Sequence, residues 1–491
     1  MKLTDQGTGT YRDPMKERTL RLPEWIHFGA GNIFRAFMAD KAQDLIGSGK
    51  SSAGIIVAEG YDPEIIEKIY RPHDNLGILA IMRADGTIDK KVIGSIAASF
   101  ILDEAYPEDR AKLEELFESP SLKMCSFTIT EKGYRTKEYM EKIVSLLCHR
   151  YKTEDLPIAF VSMDNCSHNG EILHDAVEKI AREMVDSGRV DDGFLDYVND
   201  SSRVSFPWTM IDKITPRPDE SVCDALKKDG WEDIDPIVTA KGTYIAPFVN
   251  AEETGYLVIE DDFPNGRPAL EKVGVIFADR QTVNASERMK VCTCLNPLHT
   301  ALAIFGCLLG YKTIHDEMKD EDLCGLVHEL GYGEGMKVVA DPGVISPDEF
   351  LDTVLTKRLP NPFMPDSPQR IATDTSQKIP IRFGETIKAY IADPGLSQDD
   401  LVMIPLVLAG YLRYLQGKDD EGNAFSPSSD PMLEELMAAK PEDILKKTEV
   451  FAVDLYEAGL ADKILKMYEE MCQGSGSVRS TLHKYVMEKK I

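Results

Sequence analysis

Trp25-Ile26-His27-Phe28-Gly29-Ala30-Gly31-Asn32-Ile33-Phe34-Arg35 is the stretch on which the fold turns. Four strand-forming residues run into Gly-x-Gly, and a helical pattern follows from Phe34 to Ile46. That order suits a pyrophosphate. The first glycine permits a tight turn and the second lets the backbone approach the phosphates. The helix start then offers free N–H groups and the positive end of its dipole. Gly29, Ala30, Gly31, Asn32 and Ile33 are therefore candidate cofactor-binding positions. Phe34 stands where the full fingerprint has a third glycine, so the turn by itself would also serve as an ordinary tight turn. Its place after the first strand of an alternating half favours the dinucleotide.

Outward from this turn, short apolar runs alternate with helical stretches, the pattern of a parallel sheet covered by helices. Strands are expected at Trp25–Phe28, Ile55–Glu59, Ile78–Met82, Met124–Thr130 and Ile158–Met163, with a helix over Arg110–Phe117. A polar, proline-rich region from about Arg217 to Pro268 reads as loops and short strands. The second strand ends at Glu59, with Asp62 close behind. A carboxylate there would accept from the adenosine ribose hydroxyls and repel a 2′-phosphate, favouring NAD over NADP. Residue type alone does not choose between Glu59 and Asp62.

From about Ser286 the texture changes to long apolar-periodic segments, at Pro297–Leu309, Leu401–Leu415 and Pro441–Met471. The expected fold is a Rossmann-type α/β domain over residues 1–285, with insertions, followed by a mostly α-helical domain over 286–491 that carries substrate and catalysis.

Composition narrows the function class. A chain of 491 residues with 43% hydrophobic and 28% charged residues is ordinary for a globular protein of more than one domain. No apolar run approaches the roughly 20 residues of a membrane span, and the first thirty residues lack a secretory pattern. The expectation is a cytoplasmic protein. A net charge of -27 without a basic cluster argues against nucleic acid and anionic membranes as partners. Any anionic ligand would then need a local basic pocket. The nine cysteines are scattered and lack the paired spacing of a zinc site, so they read as reduced core residues and no metal is expected.

Three segments are dense in polar groups. Thr128-Ile129-Thr130-Glu131-Lys132-Gly133-Tyr134 and Ser162-Met163-Asp164-Asn165-Cys166-Ser167-His168-Asn169-Gly170 both follow apolar strands, where open α/β sheets place ligands. Thr130 joins the candidate cofactor set, although such residues also favour ordinary turns. The third is Met289-Lys290-Val291-Cys292-Thr293-Cys294-Leu295-Asn296-Pro297-Leu298-His299. A desolvated lysine can work as a general base near neutral pH, an asparagine amide can donate to an alkoxide, and a histidine can orient or relay.

Gly-Ala-Gly-Asn-Ile-Phe-Arg, Thr-Glu-Lys-Gly-Tyr, Asp-Asn-x-x-x-Asn-Gly, Ile211-Asp212-Lys213-Ile214-Thr215-Pro216 and Leu-Asn-x-x-His occur in this order. Together they resemble the polyol-specific long-chain dehydrogenases of the mannitol dehydrogenase family, from about Trp25 to beyond Lys378. The resemblance implies a metal-independent oxidoreductase that uses NAD(H), less readily NADP(H), with Lys290 as acid/base. It implies that Asn296, with Asn165 or Asn169, holds the developing oxyanion and that His299 orients the substrate. Asp212, Arg370 and Lys378 would contact the substrate, and a monomer is consistent with the likeness. Within the family the sequence leans toward interconversion of D-fructuronate and D-mannonate. Mannitol 2-dehydrogenation and tagaturonate reduction are the alternatives, and a non-catalytic dinucleotide-binding protein is the reading of another class.

One departure has a structural consequence. Lys290 and Asn296 are one residue further apart than in the family pattern. At about 100° per residue, an unbroken helix would turn the lysine away from the asparagine. Pro297 cannot donate to the carbonyl of Thr293. A bulge or break is therefore expected between Lys290 and Pro297, with Asn296 as N-cap of the helix that follows.

Overall fold

The computed structural model describes residues 1–5 and 12–489. The chain divides into two compact units, one of Met1–Arg83 with Thr87–Asn284, the other of Ala84–Gly86 with Ala285–Ile491.

In chain order the first unit's strands begin β1 Trp25–Phe28, β2 Ile55–Glu59, β3 Gly77–Met82, β4 Ile88–Ile93, β5 Ile96–Ile101, β6 Met124–Phe127 and β7 Ile158–Ser162. They continue with β8 Val204–Ser205, β9 Thr209–Asp212, β10 Ile237–Val238, β11 Tyr244–Ile245, β12 Phe248–Glu252, β13 Tyr256–Glu260 and β14 Ile276–Ala278. The central sheet has the order β5-β2-β1-β6-β7-β8, parallel throughout. The chain runs outward from β1 to one edge, then returns to β6 and runs to the other. The strand order thus reverses between β1 and β6, where open α/β sheets bind ligands.

Both faces of this sheet are covered, which is why its strands are continuous apolar runs. Ile26, Phe28, Ile56, Ala58, Cys125 and Phe127 point into one core, with the helices Pro107–Phe117, Lys137–Glu154 and Asn169–Asp186. Trp25, Ile55, Val57, Met124, Ala159 and Val161 point into the other, with the helical run from Phe34 to Gly47.

One strand expectation is corrected. Ile78–Met82 belongs to β3, which lies in a separate sheet of order β12-β3-β4. Asp85-Gly86 turns β3 back onto β4 as an antiparallel hairpin, closed by Arg83 N–H donating to Thr87 O at 2.9 Å, with Gly86 at φ 84°. Such a dipeptide between strands is a hairpin signal. Residues 128–130 also leave the strand, because Thr130 opens the helix Thr130–Arg135. The region after Arg217 contains a helix, Glu220–Lys228, capped by the Asp219 side chain.

The second unit is helical. Residues Arg280–Leu309 are helical except at Leu295, with a mean hydropathy of 1.5 in their most apolar window. That window is 83% buried inside the protein, so its apolarity is that of a core helix. Met403–Tyr414 is buried at every residue. Its first N–H groups are satisfied by the buried Glu334 carboxylate, which accepts from Val402, Met403 and Ile404 at 2.6, 2.6 and 2.9 Å. An anion at a helix start also complements the dipole.

Candidate functional site

In the N-terminal unit the glycine turn is held from three sides. Gly29 has φ 103°, and a Cβ there would lie 2.3 Å from Thr128 O, so β1 and β6 close on this position with glycine alone. Ala30 N–H donates to Glu59 Oε2 at 2.8 Å, and Ala30 O accepts from Tyr70 Oη at 2.9 Å. Gly31 is different. A Cβ added there meets nothing within 4 Å, so its backbone is bare toward the neighbouring space. Helical backbone starts at Asn32 and Ile33, whose leading N–H groups have no partner within a helix. Asn32 Oδ1 is buried and has no hydrogen-bond partner among the described residues.

That space is a cavity of about 510 Å³, lined among others by Gly29, Gly31, Glu59, Thr128, Thr130 and Lys132. It sits at the strand-order reversal and is large enough for part of a dinucleotide. A bare glycine, a helix start and the Lys132 ammonium make a donor set that fits a pyrophosphate flanked by nucleosides.

The two carboxylates left open by the sequence have different settings. Glu59 is buried at the end of β2 and lines the cavity. Its Oε1 accepts from Tyr61 and Asp62 N–H at 2.7 and 3.0 Å. Burial pushes its pKa up, against the pull of these three N–H groups and with a further push from Asp62. Asp62 is buried away from the cavity lining, its Oδ2 taken by the hydroxyls of Thr239 and Thr243. Glu59 is therefore the carboxylate that lines the cavity, and Asp62, expected beside it as a cofactor contact, is instead held by Thr239 and Thr243.

The polar segments after β6 and β7 are joined by Asp164, which the residue pattern did not single out. Its carboxylate accepts from Ile129 N–H and Thr130 N–H at 3.0 Å each and from Tyr134 Oη at 2.7 Å. These bonds hold Thr130 at φ 63°, a conformation uncommon for a β-branched residue. An aspartate two residues beyond a buried strand was the available signal.

Asn165 is exposed, whereas Asn169 is 1% exposed. The Asn169 amide nitrogen donates to Asp164 O, Thr209 O and Thr209 Oγ1, and its oxygen accepts from Thr209 N–H. Asn169 thus joins the loop after β7 to β9 through Asp164 and Thr209. Asp212 ends β9 and is buried, opposite Tyr256 in the register.

In the second unit, Met289–Cys294 is a π-helical turn in which Leu295 N–H donates to Lys290 O at 3.1 Å. A π turn absorbs one extra residue, and the helix restarts as Asn296–Leu309. The expected break is present, with one correction: Leu295, at φ -127° and ψ -60°, occupies the cap position, and Asn296 is the first helical residue. Lys290 is 2% exposed, so the extra residue has not turned it to solvent.

His299 lies one turn further on. Its Nε2 is enclosed and has no hydrogen-bond partner among the described residues, with Asp366 Oδ2 at 3.3 Å. Burial first, then the positive charges of Arg382, Arg370, Arg358 and Lys378, lower its pKa to about 3, so the imidazole is neutral. Burial lowers Arg382 to about 10, and burial together with Arg382 lowers Lys378 to about 8. Arg382 donates to Thr300 Oγ1 and, at 3.4 Å, to Asn296 O. Lys378 donates to Ile371 O and Thr373 O. Arg370 is 61% exposed on its side chain and is held by Asp366. Arg358 and Asp366 were not in the candidate set; they join Arg370, Lys378, Arg382 and His299 only once the loops between helices are folded. In a chain of net charge -27 these cations gather around His299, together with the Asp366 carboxylate that contacts both His299 and Arg370.

Comparison with known proteins places the fold. Residues 23–272 match the mannitol dehydrogenase Rossmann domain and residues 282–472 the mannitol dehydrogenase C-terminal domain. The chain is 49% identical to the D-mannonate oxidoreductase of Thermotoga maritima, over 96% of this chain and 94% of that one. It is 29% identical to the mannitol 2-dehydrogenase of Emericella nidulans, over 92% and 91%. Among solved structures, the Pseudomonas fluorescens mannitol 2-dehydrogenase ternary complex with NAD and D-mannitol superposes with a TM-score of 0.71 at 24% identity, covering 100% of both chains. The substrate-free D-sorbitol dehydrogenase gives 0.78 at 24% identity, over 94% and 95%. With both domains matched in order, the chain belongs to the mannitol dehydrogenase family.

Proposed function

We propose that this protein is an NAD-dependent oxidoreductase that interconverts D-fructuronate and D-mannonate, with Lys290 as the acid/base. The observation that carries the sugar-acid reading is the cation set around His299. Arg358, Arg370, Lys378 and Arg382 act on a neutral imidazole whose Nε2 has no hydrogen-bond partner among the described residues, although Asp366 Oδ2 lies 3.3 Å away. A polyol needs hydroxyl partners only, whereas a carboxylate gains most from guanidinium and ammonium donors. The 49% identity to a D-mannonate oxidoreductase supports the same choice. The Glu59 carboxylate at the end of β2 supports NAD over NADP by repelling a 2′-phosphate.

The bound nicotinamide would give or take the hydride. Lys290, buried in the π turn, supplies the proton to the carbonyl oxygen during reduction and removes it from the hydroxyl during oxidation. Asn296, at the start of the restarted helix, donates to that oxygen as charge develops. The unpaired Nε2 of His299 and the cations around it bind and orient the sugar acid. Asn165 or Asn169, and Asp212, in the N-terminal unit, keep the roles that family likeness gives them. The reading is of a cytoplasmic enzyme of small-molecule metabolism, acting as a monomer and needing neither nucleic acid nor membrane.

The test is NADH oxidation with fructuronate, tagaturonate and fructose in parallel, for wild type and Lys290→Ala. Fructuronate turnover that falls by about 10²–10⁴ in the variant is expected. Turnover of fructose but of neither acid would sink the sugar-acid reading. NADH binding with no turnover of any substrate would favour a non-catalytic dinucleotide-binding protein.

A further inference from the structure

Asp62 sits at the N-cap of the short helix Pro63–Ile65, yet its side chain makes no cap hydrogen bond. An aspartate in that position ordinarily accepts from the helix's first N–H groups. Here a single oxygen, Oδ2, accepts from Thr239 Oγ1 at 2.6 Å and Thr243 Oγ1 at 2.7 Å. Both threonines belong to the hairpin of β10 and β11, which pairs Ile237 with Ile245 and Val238 with Tyr244. Its loop is closed by Thr239 N–H donating to Thr243 O at 3.0 Å and Thr243 N–H donating to Thr239 Oγ1 at 3.1 Å. Lys241, at the loop tip, donates to Tyr61 O, and its ammonium lies 4.4 Å from the centre of the Tyr61 ring. Ala240 N–H donates to Glu64 at 3.2 Å.

Polar groups thus tie the hairpin loop to the residues that follow β2, while Ile245 and Ile237 join the core that also holds Ile65 and Ile66. Thr243 and Tyr61 line the same cavity as Gly29, Gly31 and Glu59. They stand at its Glu59 end, the side where a dinucleotide-binding sheet receives the adenosine ribose.

We propose that the hairpin Ile237–Ile245 is a wall of the adenosine half of the cofactor site, latched by Asp62 through Thr239 and Thr243. Asp62 is a positioning residue: it holds the wall and does not touch the nucleotide. Tyr61, 59% exposed and backed by Lys241, is the aromatic surface that the latched hairpin keeps beside the nucleotide. This inference rests on the dinucleotide reading above and adds retention of the cofactor to it.

NADH dissociation, followed in stopped flow by nicotinamide fluorescence, tests the latch in wild type, Asp62→Ala, Thr243→Val and Thr243→Ser, with the unliganded melting temperature recorded for each. Charged hydrogen bonds are worth enough for their loss to speed release by about tenfold or more. Asp62→Ala and Thr243→Val should both release NADH faster, and Thr243→Ser, which keeps the hydroxyl, should restore the wild-type rate. The added cost should fall on the KM for NADH rather than on that for the sugar acid. If Asp62→Ala does not fold, the valine and serine pair decides. Unchanged dissociation with a lowered unliganded melting temperature would make the contact merely structural and overturn the proposal. Failure of wild type to bind NADH would overturn the dinucleotide reading as well, so the two failures are distinguishable.

Discussion

Glu317 offers a quantitative check on how the second unit is built. Its side chain is fully buried on the helix Ile314–Glu317, and both carboxyl oxygens lack hydrogen-bond partners among the described residues. A Cβ on Gly306 would lie 2.1 Å from Oε1, so the core helix carries a glycine where the carboxyl packs. Burial, then the charge of Asp320, raises its pKa from 4.5 to about 9. The folded chain therefore keeps a proton that the unfolded chain releases. Below about pH 4.5 the two states bind it equally; above that, stability is lost steadily as pH rises toward about 9. At about 1.4 kcal/mol per pH unit, the interval from 4.5 to 7 amounts to about 3 kcal/mol. Glu317→Gln has nearly the same shape and no proton to hold. It should stabilise the protein by that order at pH 7, shifting the melting temperature by roughly 8 °C for a unit of this size. The assay is thermal unfolding of wild type and variant at pH 5, 6, 7 and 8. The difference should be small at pH 5 and widen at each step. A difference that stays constant from pH 5 to 8 would refute the argument, because it would mean that Glu317 is ionised in the folded chain.

Three other outcomes follow from the same geometry. Gly29→Ala combines an unfavourable φ with a 2.3 Å approach to Thr128 O, so it should cost at least about 2 kcal/mol in urea unfolding and weaken NADH binding; a variant that binds normally would contradict the turn's role. Lys378, at about 8, loses its charge as pH rises through that value, so the KM for the sugar acid should climb several-fold between pH 7 and pH 9, while Lys378→Arg should stay flat. Gly306→Ala forces a methyl against Glu317 and Pro368; destabilisation of about 1–3 kcal/mol is expected in the same unfolding assay, and an unchanged melting temperature would count against the packing.

The central sheet, the glycine turn and the helical second half were legible in the sequence because each depends on local periodicity. Buried parallel strands must be apolar throughout, a phosphate turn must be glycine at Gly29, and core helices repeat every three to four residues. The break after Lys290 was legible as well, since Pro297 lacks the N–H that an unbroken helix requires. Its form was not: whether the extra residue becomes a π turn or a cap at Asn296 depends on what packs around the turn, such as Thr386, whose hydroxyl reaches Cys292 O. The misplacement of Ile78–Met82 has a similar origin, because a short apolar run does not state which sheet it joins. The site residues divide in the same way. Sequence supplied the chemical types, and tertiary structure assigned their employment. It turned Asn169 into a brace between strands, Asp62 into a partner for two threonines 177 and 181 residues away, and Asp164 into the clamp on Thr130. The cation cluster around His299 assembles from helices and loops spread over Arg358–Arg382, with no motif to announce it. Sequence determined what is enforced by neighbours along the chain. Only the fold decided which polar group spends its hydrogen bonds on the scaffold and which is left to face a ligand.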